Sequence, residues 1–115
     1  MNHTMKLNPE PFHAVKSGYK TIELRLHDAK RQQLKIGDSI TFHRIDEPSE
    51  TVTKKITAMH YFSDFTELFK GLPLLKCGYT PFTWQDAKPE QMEDFYSKEQ
   101  QAKYHVVGIE LEEEP

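Results

Sequence analysis

Residues 21–26 alternate strictly, with Ile22, Leu24 and Leu26 on one parity and Thr21, Glu23 and Arg25 on the other. A period of two marks a strand with two unlike faces. The pattern recurs in "SITFHRI" and in the closing "YHVVGIELE". It also runs through "TVTKKITAMHYF", where Val52, Ile56 and Ala58 alternate with polar residues. Lys54 interrupts that apolar set and predicts a twist or bulge at its position.

Other segments read as short helices. "NPEPFHAVKSG" has Asn8 as cap, Pro9 at the first helical position and Gly18 just past the end. Phe12, Val15 and Leu7 are its core candidates. "SDFTELFKG" predicts a helix capped by Ser63 and ended by Gly71, with Phe65, Leu68 and Phe69 on one face. "WQDAKPEQMEDFY" is helical in two pieces interrupted by Pro89. "SKEQQAKY" begins with Ser97 and carries Gln100 at capping-box spacing. Between them, "HDAKRQQLKIGD" is a polar connection ending in the Gly37–Asp38 turn, "DEPSE" a loop tip and "LPLLKCGYTPFT" irregular chain. The acidic stretch 112–115 reads as a frayed tail.

Four or five strands with short helices between them lack the regular βαβ alternation of a parallel sheet. The expected class is α+β, a small mixed or antiparallel β-barrel with peripheral helices. The 115 residues suit one domain spanning 1–115.

Composition narrows this picture. The chain is 37% hydrophobic and 29% charged, yet its 7 Phe, 5 Tyr and single Trp give a core enough bulk to argue against disorder. The single cysteine, Cys77, excludes an internal disulfide and fits a reducing cytoplasm. "MNHTMKLNPEPF" has no apolar core of a signal peptide, and no apolar run approaches the roughly 20 residues that span a bilayer. A cytoplasmic protein without membrane attachment is expected.

The net charge of −3 is unevenly spread. Residues 16–44 hold seven Lys and Arg against three acids, a local +4, while residues 85–115 hold nine acids against three lysines, a local −6. The first segment suits an anionic ligand. Overall acidity argues against nonspecific binding along long nucleic acids.

Glu23 and Arg25 lie two residues apart on one strand face, roughly 7 Å between Cα atoms. A carboxylate beside a guanidinium can hold an amide or a base edge. Lys20 stands where the turn enters the strand. The plainer alternative is a solvated sheet face, where such pairs contribute roughly 0–1 kcal/mol. The six histidines show no metal-binding spacing, and only His43, His60 and His105, on separate strands, have a chance to converge, so no metal or cofactor is expected. Cys77 is a nucleophile only if a neighbour lowers its pKa. Aromatic residues in "YFSDF" and "GYTPFTW" pack a core or form a base-stacking wall. Tyr61, and Tyr96 with Ser97, are candidates to border a cleft in that way.

"GYKTIELRL", followed by "KIGDSITF" and closed by "SKEQQAKYHVVGIEL", resembles the ASCH domain, a PUA-like β-barrel family. The likeness runs from about Met5 to Leu111. It implies that the strand with Lys20, Thr21, Glu23 and Arg25 lines a cleft beside the barrel. Members are proposed to bind RNA or nucleotides. Some small bacterial members are amidohydrolases that remove the acyl group of N4-acetylcytidine, using a lysine, a threonine and a glutamate. Lys20 matches the lysine, but Glu23 stands where those enzymes have threonine. "LLKCGYTPF", where their glutamate falls, has no acid before Asp86. The carry-over therefore reaches Lys20 alone. If catalysis occurs, Lys20 and Glu23 are its candidates, with Glu23 as base and Lys20 at the oxyanion. The leading expectation is a cleft for RNA or a nucleotide-like ligand lined by Lys20, Glu23 and Arg25. A nucleoside amidohydrolase and a protein-interaction domain are the alternatives.

Overall fold

The computed structural model describes residues 1–113. Five strands form one sheet: β1 (Asn2–Leu7), β2 (Ile22–Leu26), β3 (Ser39–Arg44), β4 (Glu47–Phe62) and β5 (Val106–Glu113). Three α-helices accompany them, α1 (Pro9–Lys16), α2 (Phe65–Gly71) and α3 (Lys98–Tyr104). Short 3-10 turns cover Arg31–Gln33, Leu74–Cys77, Trp84–Asp86 and Pro89–Asp94. Strand order is β1-β3-β4-β5-β2, with β1 parallel to β3 and every other pair antiparallel. The fold is thus α+β, a curled mixed half-barrel with peripheral helices, as the alternation implies. Among the described residues no helix is long and apolar enough to cross a membrane.

The sheet buries both faces. Phe12 and Val15 of α1 close the inner face over Phe42, Ile56, Val107 and Ile109. On the outer face Ile22, Leu24, Leu26 and Val106 pack against Phe65, Leu68 and Leu72. Each fully buried side chain of this size contributes roughly 1.5–3 kcal/mol. β2 therefore has no solvated face. Its apolar parity enters the helical layer, while Glu23 sits opposite Ile109 on β5, beside the inner core. β1 and β2 are the sheet edges, and Arg25 Nη2 donates to the Lys6 carbonyl across that gap at 3.0 Å.

Several local expectations are corrected. β1 is an additional strand; only its Met5 and Leu7 are buried, too few to set a pattern, and its pairing with β3 is non-local. The hairpin turn is confined to Ile45 and Asp46, so most of "DEPSE" extends β4. Lys54 keeps regular pairing with Ile40, and the irregularity falls between Ile56 and Ala58. The extra residue there changes the phase: Val52, Ile56 and Met59 meet the inner core, and Ala58 pairs with Glu110 on the opposite side. α2 is capped by Asp64, whose side chain accepts from Glu67 N, and not by Ser63. Glu112 and Glu113 belong to β5 and not to a frayed tail; 114–115 lie outside the described residues. The capping box of Ser97 and Gln100 and the left-handed Gly18 after α1 stand where the sequence places them.

Candidate functional site

Lys20, Glu23 and Arg25 converge. Lys20 is held by its backbone N–H on Ala14 O, just before β2 begins. Its Nζ lies 2.6 Å from Glu23 Oε1. Arg25 Nε and Nη2 both donate to Glu23 Oε2, at 3.1 and 3.0 Å. The Leu24 N–H donates to Oε1 at 3.2 Å. Glu23 is 3% exposed, against 11% for Lys20 and 15% for Arg25. Burial pushes the Glu23 carboxyl up, but the charges of Lys20 and Arg25 and their hydrogen bonds outweigh it and hold the group below its ordinary value. Burial likewise opposes the Arg25 charge, and Glu23, with the nearby Tyr96 phenol, more than offsets it.

A carboxylate offers about four lone-pair directions. Here Lys20, Leu24 N and two Arg25 nitrogens take them. Glu23 is therefore a positioning anion with little capacity left for a ligand or a proton. Lys20 is different: the ammonium carries three N–H donors, and Glu23 uses one.

That ammonium opens on a cleft of about 370 Å³ walled by Tyr19, Cys77, Tyr79, Thr80 and Met92. Tyr19 is pinned by its hydroxyl on Tyr79 O at 2.7 Å. Gly78, at φ +106°, lets the lysine stem pass; a Cβ there would sit 3.3 Å from Lys20 Cδ. Burial pushes the Cys77 thiol up to about 11; Lys20 lowers it and Glu23 raises it further. It stays a thiol at neutral pH and donates to Pro73 O. The Thr80 hydroxyl is engaged by Thr83 and by the Phe82 and Thr83 N–H groups.

Of the other expected site residues, Tyr96 adjoins the row through its phenol beside Arg25. Thr21 faces a second recess that Lys20 also lines, with Gly18, Lys54 and Leu111. Tyr61 stacks obliquely on His27, ring centroids 4.9 Å apart, beside Phe62 and His105. Tyr96 stacks on Phe65 in the outer core, and Ser97 accepts from Gln100 N as the α3 cap. His43, His60 and His105 bond to Pro48 O, Glu110 and Ser63 O respectively, and no cluster of metal-ligating side chains occurs among the described residues. A larger hollow of about 580 Å³ beside α2 and α3 has one buried polar side chain, Gln101, already bonded to Phe65 N and Tyr96 O. It offers no buried charge, so the Lys20 cleft is the better candidate.

Tyr79 lies in the aromatic stretch "GYTPFTW" that the sequence offers as a core or a stacking wall. Sequence reasoning missed Tyr19 and Met92 as walls. It also missed the burial of Lys54, 5% exposed, whose Nζ lies 3.6 Å from Glu113.

The match to the ASCH domain model spans residues 5–115. The chain belongs to the ASCH domain family. This ASCH chain is 32% identical to the hypothetical protein PH0355, known from a crystal structure, with 97% and 98% of the two chains covered and a TM-score of 0.79. A Pyrococcus furiosus protein solved by NMR is 31% identical, with 97% and 96% covered and a TM-score of 0.72. ASCH from Zymomonas mobilis shares the fold at 15% identity and a TM-score of 0.69, with 97% of this chain and 67% of that one covered. No curated protein matches this ASCH sequence.

Proposed function

We propose that the protein binds RNA or a nucleoside-like ligand, with a base seated in the cleft beside Lys20. RNA binding is what the ASCH family is proposed to do, and the cleft suits one flat heterocycle. Its volume of about 370 Å³ falls within the range of small-ligand sites, and its walls are mainly apolar with one charged donor. In this reading Lys20 donates to a base carbonyl, while Tyr19, Tyr79 and Met92 supply the faces. Stacking on an aromatic face is worth about 1–3 kcal/mol per base.

The observation that carries the reading is the saturation of Glu23. Its four donors leave it to aim Lys20 and Arg25, and its lowered pKa makes it a weak base. With Cys77 a buried thiol and the Thr80 hydroxyl engaged, the cleft supplies a binding group without a ready nucleophile. This favours binding over deacylation of N4-acylated cytidine.

A thermal-shift screen against nucleosides, modified nucleosides and short RNAs tests it, with N4-acetylcytidine followed for cytidine release. The expected result is stabilisation by a pyrimidine-containing ligand, about 2.7 kcal/mol at a hundredfold excess over Kd, and no turnover. Turnover abolished by Lys20→Ala and Glu23→Gln overturns the binding reading.

A further inference from the structure

We propose that a second groove, at the Arg25 end of the ion-pair row, binds a phosphate group. This groove of about 440 Å³ is distinct from the base cleft, and the proposal stands whether or not that cleft takes a base. Lys6 of β1, Arg25 of β2, and Lys30 and Arg31 at the start of the Arg31–Gln33 turn all line it. Strand β1 and the stretch 25–31, distant in sequence, thus bring four cations to one concavity.

Such convergence is costly unless anions answer it. Two of the four charges are answered internally. Arg25 is paired with Glu23, and Arg31 Nη1 lies 3.2 Å from Asp28 Oδ2. Among the described residues, Lys6 and Lys30 have no ion-pair partner. Lys30 registers the resulting field: burial first, then Arg31, Arg25 and Lys6, make its ammonium easier to deprotonate, and Asp28 offsets this only in part.

A second observation points the same way. Arg31 Nε is buried and has no hydrogen-bond partner, the one such side-chain atom among the described residues. Buried donors are almost always satisfied, so an orphan on a groove wall calls for an acceptor. An oxyanion in the groove supplies one once the guanidinium turns toward it.

Phosphate fits this set better than a carboxylate. It presents oxygens in several directions, and guanidinium groups bind it in a fork. Lys6 and Lys30 act as point charges on the same group. The carboxylate that Lys30 senses, Asp28, is already engaged by Arg31. The phosphate can belong to an RNA backbone or to a small phosphorylated molecule.

The test follows the Arg31 Nε–Hε resonance by nitrogen-15 NMR during titration with inorganic pyrophosphate and, separately, a short single-stranded RNA. Both are repeated on Lys6→Ala/Lys30→Ala, with Lys88→Ala/Lys98→Ala as a control on exposed lysines of the acidic half. The expected result is a saturable shift of Arg31 with at least one probe, weakened in the groove variant and unchanged in the control. A response to RNA alone assigns a phosphodiester, and to pyrophosphate alone a small phosphorylated ligand. With RNA, the dependence of log affinity on log salt should become shallower by about 1.4 for the two lysines, at about 0.7 per phosphate contact on a single strand. An Arg31 resonance unmoved by both probes, or a groove variant that binds as the parent does, overturns the proposal. Cytidine, which has no phosphate, is the third probe; its result reports on the base cleft alone.

Discussion

Replacing Glu23 by Gln keeps the shape of the side chain and removes the anion between two cations. In the folded protein this leaves Lys20 and Arg25, 11% and 15% exposed, without their shared counter-charge. Breaking a buried pair from one side costs about 3–5 kcal/mol. The residual exposure of both cations and the hydrogen-bonding capacity of the amide place the expectation at the lower end, about 3 kcal/mol. For a chain of this length that corresponds to a Tm lowered by about 10 °C. The measurement is guanidinium unfolding of parent and variant across acidic and neutral pH. The sign follows from the depressed carboxyl. Stability from Glu23 is fully present above its unfolded value near 4.5 and is lost as pH falls through the lower folded value. The difference between parent and variant should therefore be largest near neutrality and shrink in acid. A difference under about 1 kcal/mol at neutral pH, or one independent of pH, would refute the ion-pair account, since an exposed pair contributes no more than that.

Two further outcomes follow from packing and burial. Gly108→Ala places a Cβ 2.5 Å from Leu72 Cδ1 and 3.3 Å from Ile22 Cγ2, so denaturant unfolding should show a loss of about 1–3 kcal/mol; an unchanged midpoint would mean the outer layer is looser than described. Cys77 should resist alkylation by iodoacetamide at neutral pH and gain reactivity only as pH approaches the thiol value of about 11, followed by mass spectrometry; rapid labelling at neutral pH would contradict its burial.

Much of this architecture is readable in the chain because its signals are local. The alternation in β2, β3 and β5, and the capping box at Ser97, depend on neighbours a few residues apart. β1 is not readable that way. It carries two inward apolar residues and is held by β3, more than thirty positions later. Missing β1 also hides the cationic groove, because Lys6 reaches it only through that pairing. The phase change after Ile56 is invisible for the same reason: β5 sets it.

The site divides similarly. Alternation and the family resemblance bring Lys20, Glu23 and Arg25 to one place. They do not reveal that Glu23 is saturated, since that depends on the exact reach of Lys20 and the fork of Arg25. Nor do they separate Tyr61 from the cleft, because strand parity sets the face of a residue and not its position along the barrel.

The most direct test of the central claim is a nitrogen-15 NMR titration of the parent protein and Lys20→Ala with cytidine. The account predicts saturable shifts confined to Tyr19, Lys20, Gly78 and Tyr79 in the parent. It predicts their loss in the variant, with resonances of β3 and β4 unchanged as proof of an intact fold. Shifts that persist without the lysine, or that gather beside α2 and α3 instead, would contradict it.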